Sequence, residues 1–297
     1  MKVLLTGSNG FIGGHVCKWL RQKGIYVIGL DRREGNTAGC DEYVQCDLFT
    51  PEVDTILDRT QTGTVDAVIH LASDMRHEPY TVEVVGNNCV GVQRLLEMCE
   101  NRKIPTFIQL SSLPVIGFPV EHPITENHPL HPPTVYHVTK HTQELLAEYA
   151  NYTFGLRTVS FRICSPVGKG VNPKTIFPTF VRKALAGEDI VLIGKGTRKQ
   201  TYIHVKDISQ AIYLALTSDA QGVFNLASNN LISNVDLAKK CISILNSKSQ
   251  IVFSGDDDPM DTWVWDIDFS KLTQATGYEP AVDIEECILD LAMAMKQ

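Results

Sequence analysis

Short apolar runs alternate with amphipathic segments of helical length through the first half of the chain. The runs are rich in β-branched residues and apolar throughout, the pattern of strands that are buried on both faces of a parallel sheet. Predicted strands lie at 3–6, 26–30, 43–46, 67–70, 107–110 and 157–163, and predicted helices at 15–23, 51–59, 81–101 and 136–152. This order predicts an α/β fold, a doubly wound parallel sheet with helices on both faces.

The pattern changes after residue 165. Residues 165–174 are rich in glycine, proline and lysine and predict a loop. The following segments are shorter and more mixed, at 176–186, 190–193, 201–204, 208–216 and 223–226. We therefore expect a sheet domain over 1–165, joined by segments that return from about 201–228, and a smaller α/β cap formed mainly by 166–297.

Composition narrows the class of protein. The 43% of hydrophobic and 21% of charged residues are ordinary for a globular chain. No apolar run approaches the roughly 20 residues of a membrane helix, and the N-terminus enters a strand without a secretory leader. We expect a cytoplasmic protein with no membrane partner. A net charge of −7 without a basic stripe argues against nucleic acid as a partner, and eight cysteines without a C-x-x-C pair argue against a zinc ribbon or a disulfide scaffold.

A glycine-rich loop joins the first strand to the first helix. Its G-x-x-G-x-x-G spacing is built from Gly7, Asn9, Gly10, Phe11, Ile12 and Gly13. The glycines allow a tight turn, and the N-terminus of the helix offers free N–H groups to a pyrophosphate. This is a predicted dinucleotide-binding loop.

The second strand selects between two dinucleotides. It ends at Asp31, where a carboxylate can accept both hydroxyls of the adenosine ribose. The same carboxylate repels a 2′-phosphate, so we predict NAD as the cofactor, with NADP less favoured. Arg32 and Arg33 follow directly and keep the alternative open, because an arginine there can accommodate the phosphate.

A tyrosine and a lysine supply candidate redox chemistry. Tyr136 and Lys140 stand four residues apart, so a helix puts the phenol and the ammonium on one face. A nearby ammonium favours phenolate, and we expect the pKa of Tyr136 below its ordinary value of about 10. Tyr136 could then act as base toward a hydroxyl or as acid toward a ketone. Ser111 and Ser112 end the strand at 107–110, where the sites of open α/β sheets lie.

With these features the chain resembles the extended short-chain dehydrogenase/reductase superfamily, in its NAD-dependent epimerase/dehydratase group. UDP-galactose 4-epimerase and the sugar-nucleotide reductases are similar enzymes. The resemblance covers nearly the whole chain and is carried by the glycine loop, Asp31, Tyr136 with Lys140, and the segments 47–48, 70–73, 88–91, 111–112, 161–165, 194–196, 202–207 and 277–280. It implies a Rossmann-type NAD-binding domain at 1–165 and a C-terminal substrate-binding cap.

The resemblance also implies roles for individual residues. Ser112, rather than Ser111, aligns with the catalytic serine, Tyr136 with the acid/base, and Lys140 with its pKa modulator and ribose ligand. The other implied cofactor contacts are Asp47 and Leu48 at the adenine, together with Leu71, Ala72, Ser73 and Asn88, the last as a brace behind the site. The expected substrate contacts are Ser112, Ser165, Arg198 and Gln200.

The chain departs from the family pattern on the substrate side. Residues 113–114 are Leu-Pro where 4,6-dehydratases carry the Asp-Glu pair that performs the elimination, so a dehydratase is not expected. Gln200 replaces an arginine that precedes the strand at 201–204, and Trp263 and Trp265 lie where a second diphosphate-binding arginine often sits. Glutamine cannot supply the missing charge.

Two explanations of this departure stay open. Another cation, from Lys169, Lys174, Arg182 or Arg198, takes over the diphosphate, or the substrate is smaller, lacks a nucleotide and binds against the tryptophans. Packing within the cap is the alternative role for the two tryptophans. The nearby histidines, at 122, 128, 131, 137 and 141, offer one i, i+4 pair, His137 with His141, and we predict no metal site.

The sequence therefore predicts an NAD-dependent sugar-modifying enzyme that transfers hydride at a carbinol or ketone carbon. A nucleotide-sugar epimerase or a 4-keto-sugar reductase is favoured. The alternatives are an NAD(P)-dependent dehydrogenase of a smaller hydroxy substrate and a non-enzymatic NAD-binding sensor or scaffold, against which the Tyr–Lys pair argues. The helices at 81–101 and 136–152 carry apolar positions on more than one face, and in similar enzymes this pair forms a dimeric four-helix bundle. We expect a homodimer.

Overall fold

A seven-stranded parallel sheet forms the centre of the computed structural model, which describes residues 1–296. Its strands are β1 (Lys2–Thr6), β2 (Tyr26–Asp31), β3 (Glu42–Gln45), β4 (Ala67–His70), β5 (Thr106–Ser112), β6 (Arg157–Ile163) and β10 (Gly222–Leu226). They are arranged in the order β10-β6-β5-β4-β1-β2-β3. The direction of winding reverses between β1 and β4, and such a reversal opens a crevice at the carboxyl ends of the strands.

Helices cover both faces because successive side chains of a strand point to opposite sides. The helices of this layer are α1 (Phe11–Gln22), the 3₁₀ helix Pro51–Arg59, α2 (Thr81–Val85), α3 (Gly91–Arg102), α4 (Val135–Phe154) and α6 (Val205–Leu216). On β1, Val3 and Leu5 belong to the core formed with α1 and α6. Leu4 belongs to the opposite core, formed with α3. The doubly wound α/β fold is confirmed.

Smaller elements form the C-terminal part. They are β7 (Ser165–Val167), α5 (Ile176–Ala186), β8 (Ile190–Leu192), β9 (Lys199–His204), β11 (Leu231–Ser233), α7 (Asn234–Ile244), β12 (Ile251–Phe253), α8 (Ser270–Thr276) and α9 (Ile284–Met295). β9 lies between β7 and β11 in a three-stranded sheet, and β8 pairs with β12. A third core joins α5, α7 and α9 through side chains such as Phe177, Leu237 and Ile288. The domain boundary near residue 165 stays a prediction.

Two element predictions are wrong. The loop expected at 165–174 begins with strand β7, because Ser165 pairs with Tyr202 in β9. The helix expected at 81–101 is interrupted by a π-helical turn, Gly86–Val90, between α2 and α3. A Cβ at Gly86 would lie 3.0 Å from the ring of Phe49, so the missing side chain lets the distorted turn pack closely against the segment after β3.

Candidate active site

A cavity of about 710 Å³ opens at the carboxyl ends of the central strands and extends to the cap. Every predicted cofactor residue except Asn9 lines it: Gly7, Gly10, Phe11, Ile12, Gly13, Asp31, Arg32, Asp47, Leu48, Leu71, Ala72, Ser73, Asn88, Tyr136 and Lys140. The predicted substrate residues Ser112, Ser165, Arg198 and Gln200 line it as well. The fold thus brings together residues that are up to 193 positions apart, Gly7 and Gln200. Their contacts with ligands stay predictions.

The glycine loop turns tightly into α1. Gly7 has a φ of +68°, and its carbonyl oxygen accepts a hydrogen bond from the Gly10 N–H at 2.9 Å. A Cβ at Gly13 would lie 2.0 Å from that same oxygen, so only glycine fits where the helix crosses the loop. The first N–H groups of α1 therefore open onto the cavity, in the arrangement that receives a pyrophosphate.

Asn9 braces the loop instead of lining the cavity. Its side-chain Nδ2 donates to the carbonyl oxygen of Gly35 at 2.7 Å, and its Oδ1 accepts from the N–H groups of Thr37 and Ala38. The segment that follows β2 is thereby fixed to the glycine loop. The prediction that Asn9 contacts the cofactor stays a prediction, and its side-chain amide is engaged within the protein.

Asp31 ends β2 with its carboxylate on the cavity. It accepts hydrogen bonds from the Asn9 N–H at 3.1 Å and from the Arg33 guanidinium at 3.1 and 3.2 Å. Arg33 also lines the cavity, so both arginines after the acid lie at its rim. The sequence placed both Arg32 and Arg33 beside the acid, and the partner of the carboxylate is Arg33.

Ser112 ends β5, and Tyr136 and Lys140 lie on the first turns of α4. The Tyr136 side chain lines the cavity together with Ser112 and Ser73. The Lys140 Nζ donates to the Leu110 carbonyl oxygen at 2.8 Å and lies 5.9 Å from the centroid of the Tyr136 ring. The structure therefore brings the three predicted catalytic residues to one wall of the cavity.

The expected direction of the Tyr136 pKa is wrong. Burial raises the pKa of Tyr136 to about 12, against which the hydrogen bonds from Ser73 and Ser112 act. Burial likewise lowers the pKa of Lys140 to about 8. The shared helix face does bring phenol and ammonium together, but Lys140 bonds to β5, and the loss of solvent dominates the pKa of the phenol.

Asn88 has the bracing position that the resemblance implied. From the π-helical turn its Oδ1 accepts from the Asp74 N–H at 2.8 Å, and its Nδ2 donates to the Asp74 carbonyl oxygen and to Thr139 Oγ1, both at 2.9 Å. Thr139 lies between Tyr136 and Lys140 on α4. Asn88 thus fixes the segment after β4 to the helix that carries the candidate acid/base.

The cap side of the cavity combines a glutamine, an arginine and a tryptophan. Gln200 donates to Ser165 Oγ across β9 and β7. Arg198 lies with its guanidinium 5.9 Å from the centroid of Trp263, and its buried Nε has no hydrogen-bond partner among residues 1–296. Trp265 lines the cavity, whereas Trp263 packs edge-on against Phe118. Trp265 therefore faces the site, whereas Trp263 packs against Phe118 and lies under the Arg198 guanidinium.

Sequence reasoning missed an acidic group beside the site. Asp74 is 6% exposed, lines the cavity, and accepts from Arg76 Nη2 at 2.6 Å and from Asn87 Nδ2 at 2.8 Å. The Arg76 guanidinium holds the pKa of Asp74 well below its usual range. Asp74 is followed two residues later by Arg76, as Asp31 is followed by Arg33. This repeated spacing could have indicated Asp74 from the sequence.

Three further observations concern metals, membranes and thiols. Within residues 1–296, no three or more His, Cys, Asp or Glu side chains are grouped to hold a metal ion. No helix in that range has the length and apolar character for crossing a membrane. The eight cysteines are free and all except Cys89 are buried, as is usual in reducing compartments. The cytoplasmic location stays a prediction.

Comparisons with known proteins identify the family and the fold of the chain. A family model described as the NAD dependent epimerase/dehydratase family matches residues 3–227. The low-salt glycan biosynthesis protein Agl12 of Haloferax volcanii is 29% identical, over 96% of this chain and 96% of its own. A dTDP-glucose 4,6-dehydratase of Streptomyces niveus is 25% identical over 98% and 91%. The crystal structure of a UDP-glucose 4-epimerase of Thermotoga maritima with UDP-glucose superposes with a TM-score of 0.89 at 24% identity, covering 100% of this chain and 99% of that one.

Proposed function

The chain belongs to the NAD-dependent epimerase/dehydratase family, within the extended short-chain dehydrogenases/reductases, and from that premise we propose that it epimerises a nucleotide sugar. It is an NAD-dependent enzyme, and its relatives act on nucleotide sugars as epimerases and dehydratases. The observation that carries the proposal is that Ser112, Tyr136 and Lys140 line the same cavity as the glycine loop.

The candidate residues divide the reaction between them. Bound NAD supplies a hydride acceptor that can also return the hydride. Tyr136 takes the proton of the substrate hydroxyl while its carbon becomes a ketone, and gives it back when the hydroxyl forms again. Ser112 hydrogen-bonds the same oxygen and fixes it beside the phenol. Lys140, held at the Leu110 carbonyl, is poised to bind the ribose on the nicotinamide side.

The surroundings of Ser112 favour epimerisation over dehydration. Elimination of water needs a carboxylic acid and a base close to the sugar. Leu113 and Pro114 occupy the turn after Ser112, and Leu113 is 1% exposed. Asp74 is one of the carboxylates on the described cavity wall, and Arg76 already holds it as an anion. A carboxylate held in this way cannot protonate a leaving hydroxyl.

We assign the diphosphate of the substrate to Arg198. Gln200 carries no charge and is engaged with Ser165. Arg198 lines the same wall with an unpartnered Nε, and a planar guanidinium suits two phosphate oxygens at once. Trp265 and Gln200 favour a second candidate, a dehydrogenase of a smaller hydroxy compound that lies against the indole.

A substrate panel distinguishes the two candidates. The purified protein is assayed for bound NAD and then mixed with UDP-, dTDP- and GDP-sugars and with free sugar acids. An epimerase converts one isomer into the other without net NADH, whereas a dehydrogenase forms NADH in proportion to product. Arg198→Met should raise KM for a nucleotide sugar at least tenfold, since charged hydrogen bonds contribute about 1.5–3 kcal/mol, and should leave a non-nucleotide substrate unaffected.

A pair of tyrosine variants tests the acid/base. Tyr136→Phe should abolish turnover while NAD binding persists, because the phenol oxygen alone is removed. Tyr213→Phe removes the same atom from α6, outside the cavity, and should keep wild-type turnover. Full activity of the Tyr136 variant would reject the mechanism.

We also infer a homodimer through α2, α3 and α4. Of these helices, α2 and α4 expose large apolar side chains, including Val82 at 80% and Tyr152 at 91%. Exposed apolar surface of this kind on adjacent helices is typical of subunit interfaces. Light scattering after gel filtration should give twice the chain mass, and Tyr152→Lys should lower it. Val252→Lys, an exposed apolar position on β12, is the control and should leave the mass unchanged.

A further inference from the structure

We propose that Gln143 is a positioning residue for Lys140: its side-chain oxygen orients the ammonium so that one N–H stays free for the ribose on the nicotinamide side of NAD. The proposal rests on the proposed role of Lys140 as the ligand of that ribose. It extends the site to a buried side chain of α4 that does not itself line the cavity.

The protein engages two of the three donors of the Lys140 ammonium. Its Nζ donates to the Leu110 carbonyl oxygen at 2.8 Å and to Gln143 Oε1 at 3.1 Å. An ammonium carries three N–H donors and no acceptor. Because Lys140 is buried and still lines the cavity, the third donor is the one left for a ligand there.

Two acceptors are needed to fix the direction of that third donor. A lysine has a flexible four-carbon stem and an ammonium that rotates, so the Leu110 carbonyl alone would hold the nitrogen without orienting its other N–H groups. Gln143 lies on α4 and Leu110 on β5, so the two acceptors approach from different elements. Since the nitrogen is tetrahedral, the two bonds together determine where the remaining N–H points.

The Gln143 amide is held in one orientation by its other end. Its Nε2 donates to the Asn88 carbonyl oxygen at 2.9 Å, in the π-helical turn. If the amide were turned over, its N–H groups would face the ammonium and its oxygen would face a carbonyl oxygen, and neither contact is a hydrogen bond. The Asn88 carbonyl therefore keeps Oε1 on Lys140.

The backbone of Gln143 is also fixed to the sheet. Gln109 on β5 donates from Nε2 to the Gln143 carbonyl oxygen and to Ser160 Oγ, both at 2.9 Å. Gln109 and Gln143 are both 0% exposed. A buried amide costs free energy unless it is hydrogen-bonded, and an apolar side chain would fill an interior position without that cost. The ammonium beside Gln143 accounts for a polar side chain at this position.

The test measures cofactor binding without turnover. The full chain, with any bound cofactor exchanged out by dialysis, is titrated by calorimetry with ADP-ribose, which carries the ribose in question, and with ADP, which lacks it. Gln143→Met keeps the length of the side chain and removes both hydrogen-bonding ends. The Kd for ADP-ribose should rise about tenfold, near the lower end for a hydrogen bond to a charged group, and the Kd for ADP should not change. An unchanged Kd for ADP-ribose, or an equal rise for ADP, overturns the proposal.

A double-mutant cycle shows whether Gln143 acts through Lys140. Lys140→Met should raise the Kd for ADP-ribose at least as much as Gln143→Met does. The double variant should bind ADP-ribose no more weakly than Lys140→Met alone, because the group that Gln143 positions is already gone. Losses that add in the double variant would show that Gln143 acts independently of the lysine, and the proposal would be wrong.

Two further variants provide a rescue and a matched control. Gln143→Glu keeps an acceptor for the ammonium and should retain most of the affinity for ADP-ribose, and a loss as large as that of Gln143→Met would contradict the proposal. Gln93→Met removes the same amide from α3, where Nε2 donates to Glu97 at 2.9 Å outside the cavity, and should change neither Kd. If Gln143→Met does not fold, Gln143→Asn, which is one carbon shorter, replaces it with the same expectation.

A kinetic experiment separates this proposal from the proposed function. With a nucleotide sugar from the panel, Gln143→Met should lower kcat, because a displaced ribose misplaces the nicotinamide, while KM for the sugar stays close to the wild-type value. If no nucleotide sugar is converted but the binding data show the coupling between Gln143 and Lys140, the proposed function fails and the role of Gln143 stands. If sugars are converted and the coupling is absent, the proposed function stands and the role of Gln143 is rejected.

Discussion

Arg33 donates two parallel hydrogen bonds to Asp31, from Nε to Oδ1 at 3.1 Å and from Nη2 to Oδ2 at 3.2 Å. The arginine side chain is 58% exposed and the carboxylate 8% exposed, so the pair lies at the rim of the cavity with its cation in water. Exposed pairs of this kind contribute at most about 1 kcal/mol. Arg33 can therefore yield the carboxylate to ribose hydroxyls at little cost, and its guanidinium is then available to a phosphate bound there.

Asp31→Asn should weaken NAD binding and reduce the preference of the protein for NAD over NADP. The amide loses the charged acceptor for the ribose hydroxyls, the repulsion of a 2′-phosphate disappears, and Arg33 is released to meet it. We expect at least a tenfold rise in the Kd for NAD, measured by calorimetry with both cofactors. Asp58→Asn, which removes the partner of Arg102 on the surface, should change neither Kd. An unchanged ratio of the two Kd values would contradict the assignment of Asp31.

Neighbouring glycines in α1 provide a test of the loop. A Cβ at Gly13 would lie 2.0 Å from the Gly7 carbonyl oxygen, whereas a Cβ at Gly14 would lie 3.8 Å from its nearest neighbour, the Ser8 carbonyl oxygen. Gly13→Ala should abolish NAD binding and lower the melting temperature. Gly14→Ala should retain binding and gain up to about 1 kcal/mol in free energy of unfolding, because alanine favours the helix. Equal behaviour of the two variants would refute the close approach.

Glu144 and Arg162 form a buried ion pair between α4 and β6. Two bonds join them, at 3.0 and 2.8 Å, and the side chains are 4% and 5% exposed. Glu144→Gln keeps the shape and removes the charge, which leaves the guanidinium uncompensated, so denaturation should show a loss of about 3–5 kcal/mol. The double variant Glu144→Leu with Arg162→Met removes both charges and should recover much of that loss. If the double variant has a lower free energy of unfolding than the single variant, the ion pair itself stabilises the fold.

The parts of the fold that could be predicted are those in which local sequence carries the signal. Strands buried on both faces read as continuous apolar runs, and the glycine loop followed by Asp31 marks a dinucleotide site within one strand–helix–strand unit. The elements after Leu226, from β11 to α9, were not assigned. Their strands span three residues each, and their stability comes from a core shared by α5, α7 and α9, which are distant along the chain.

In the site, too, local sequence could be used for prediction whereas contacts between distant residues could not. The residues on the cavity wall follow from motifs, but the partners of their side chains do not. Asn9 meets Gly35, 26 positions on, and Asp74 meets Asn87, 13 positions on. The i, i+4 spacing placed Tyr136 and Lys140 on one face, yet it could not show that Lys140 bonds to β5 or that burial dominates the pKa of Tyr136.

The pKa of Lys140 should be visible in the pH dependence of stability. Burial lowers it to about 8, whereas an unfolded lysine titrates near 10.4. Between these values the unfolded chain holds a proton that the folded protein has released, so the free energy of unfolding rises with pH, by on the order of 3 kcal/mol over the window.

Lys140→Met keeps the length of the side chain and cannot titrate. In urea denaturation series from pH 7 to pH 10, the stability of the wild type relative to this variant should therefore increase with pH. The remaining titratable groups are present in both proteins, so their contributions largely cancel when the two free energies of unfolding are subtracted. A constant difference across the series would mean that Lys140 keeps its proton in the folded state, where the ammonium donates to Gln143 and the Leu110 carbonyl.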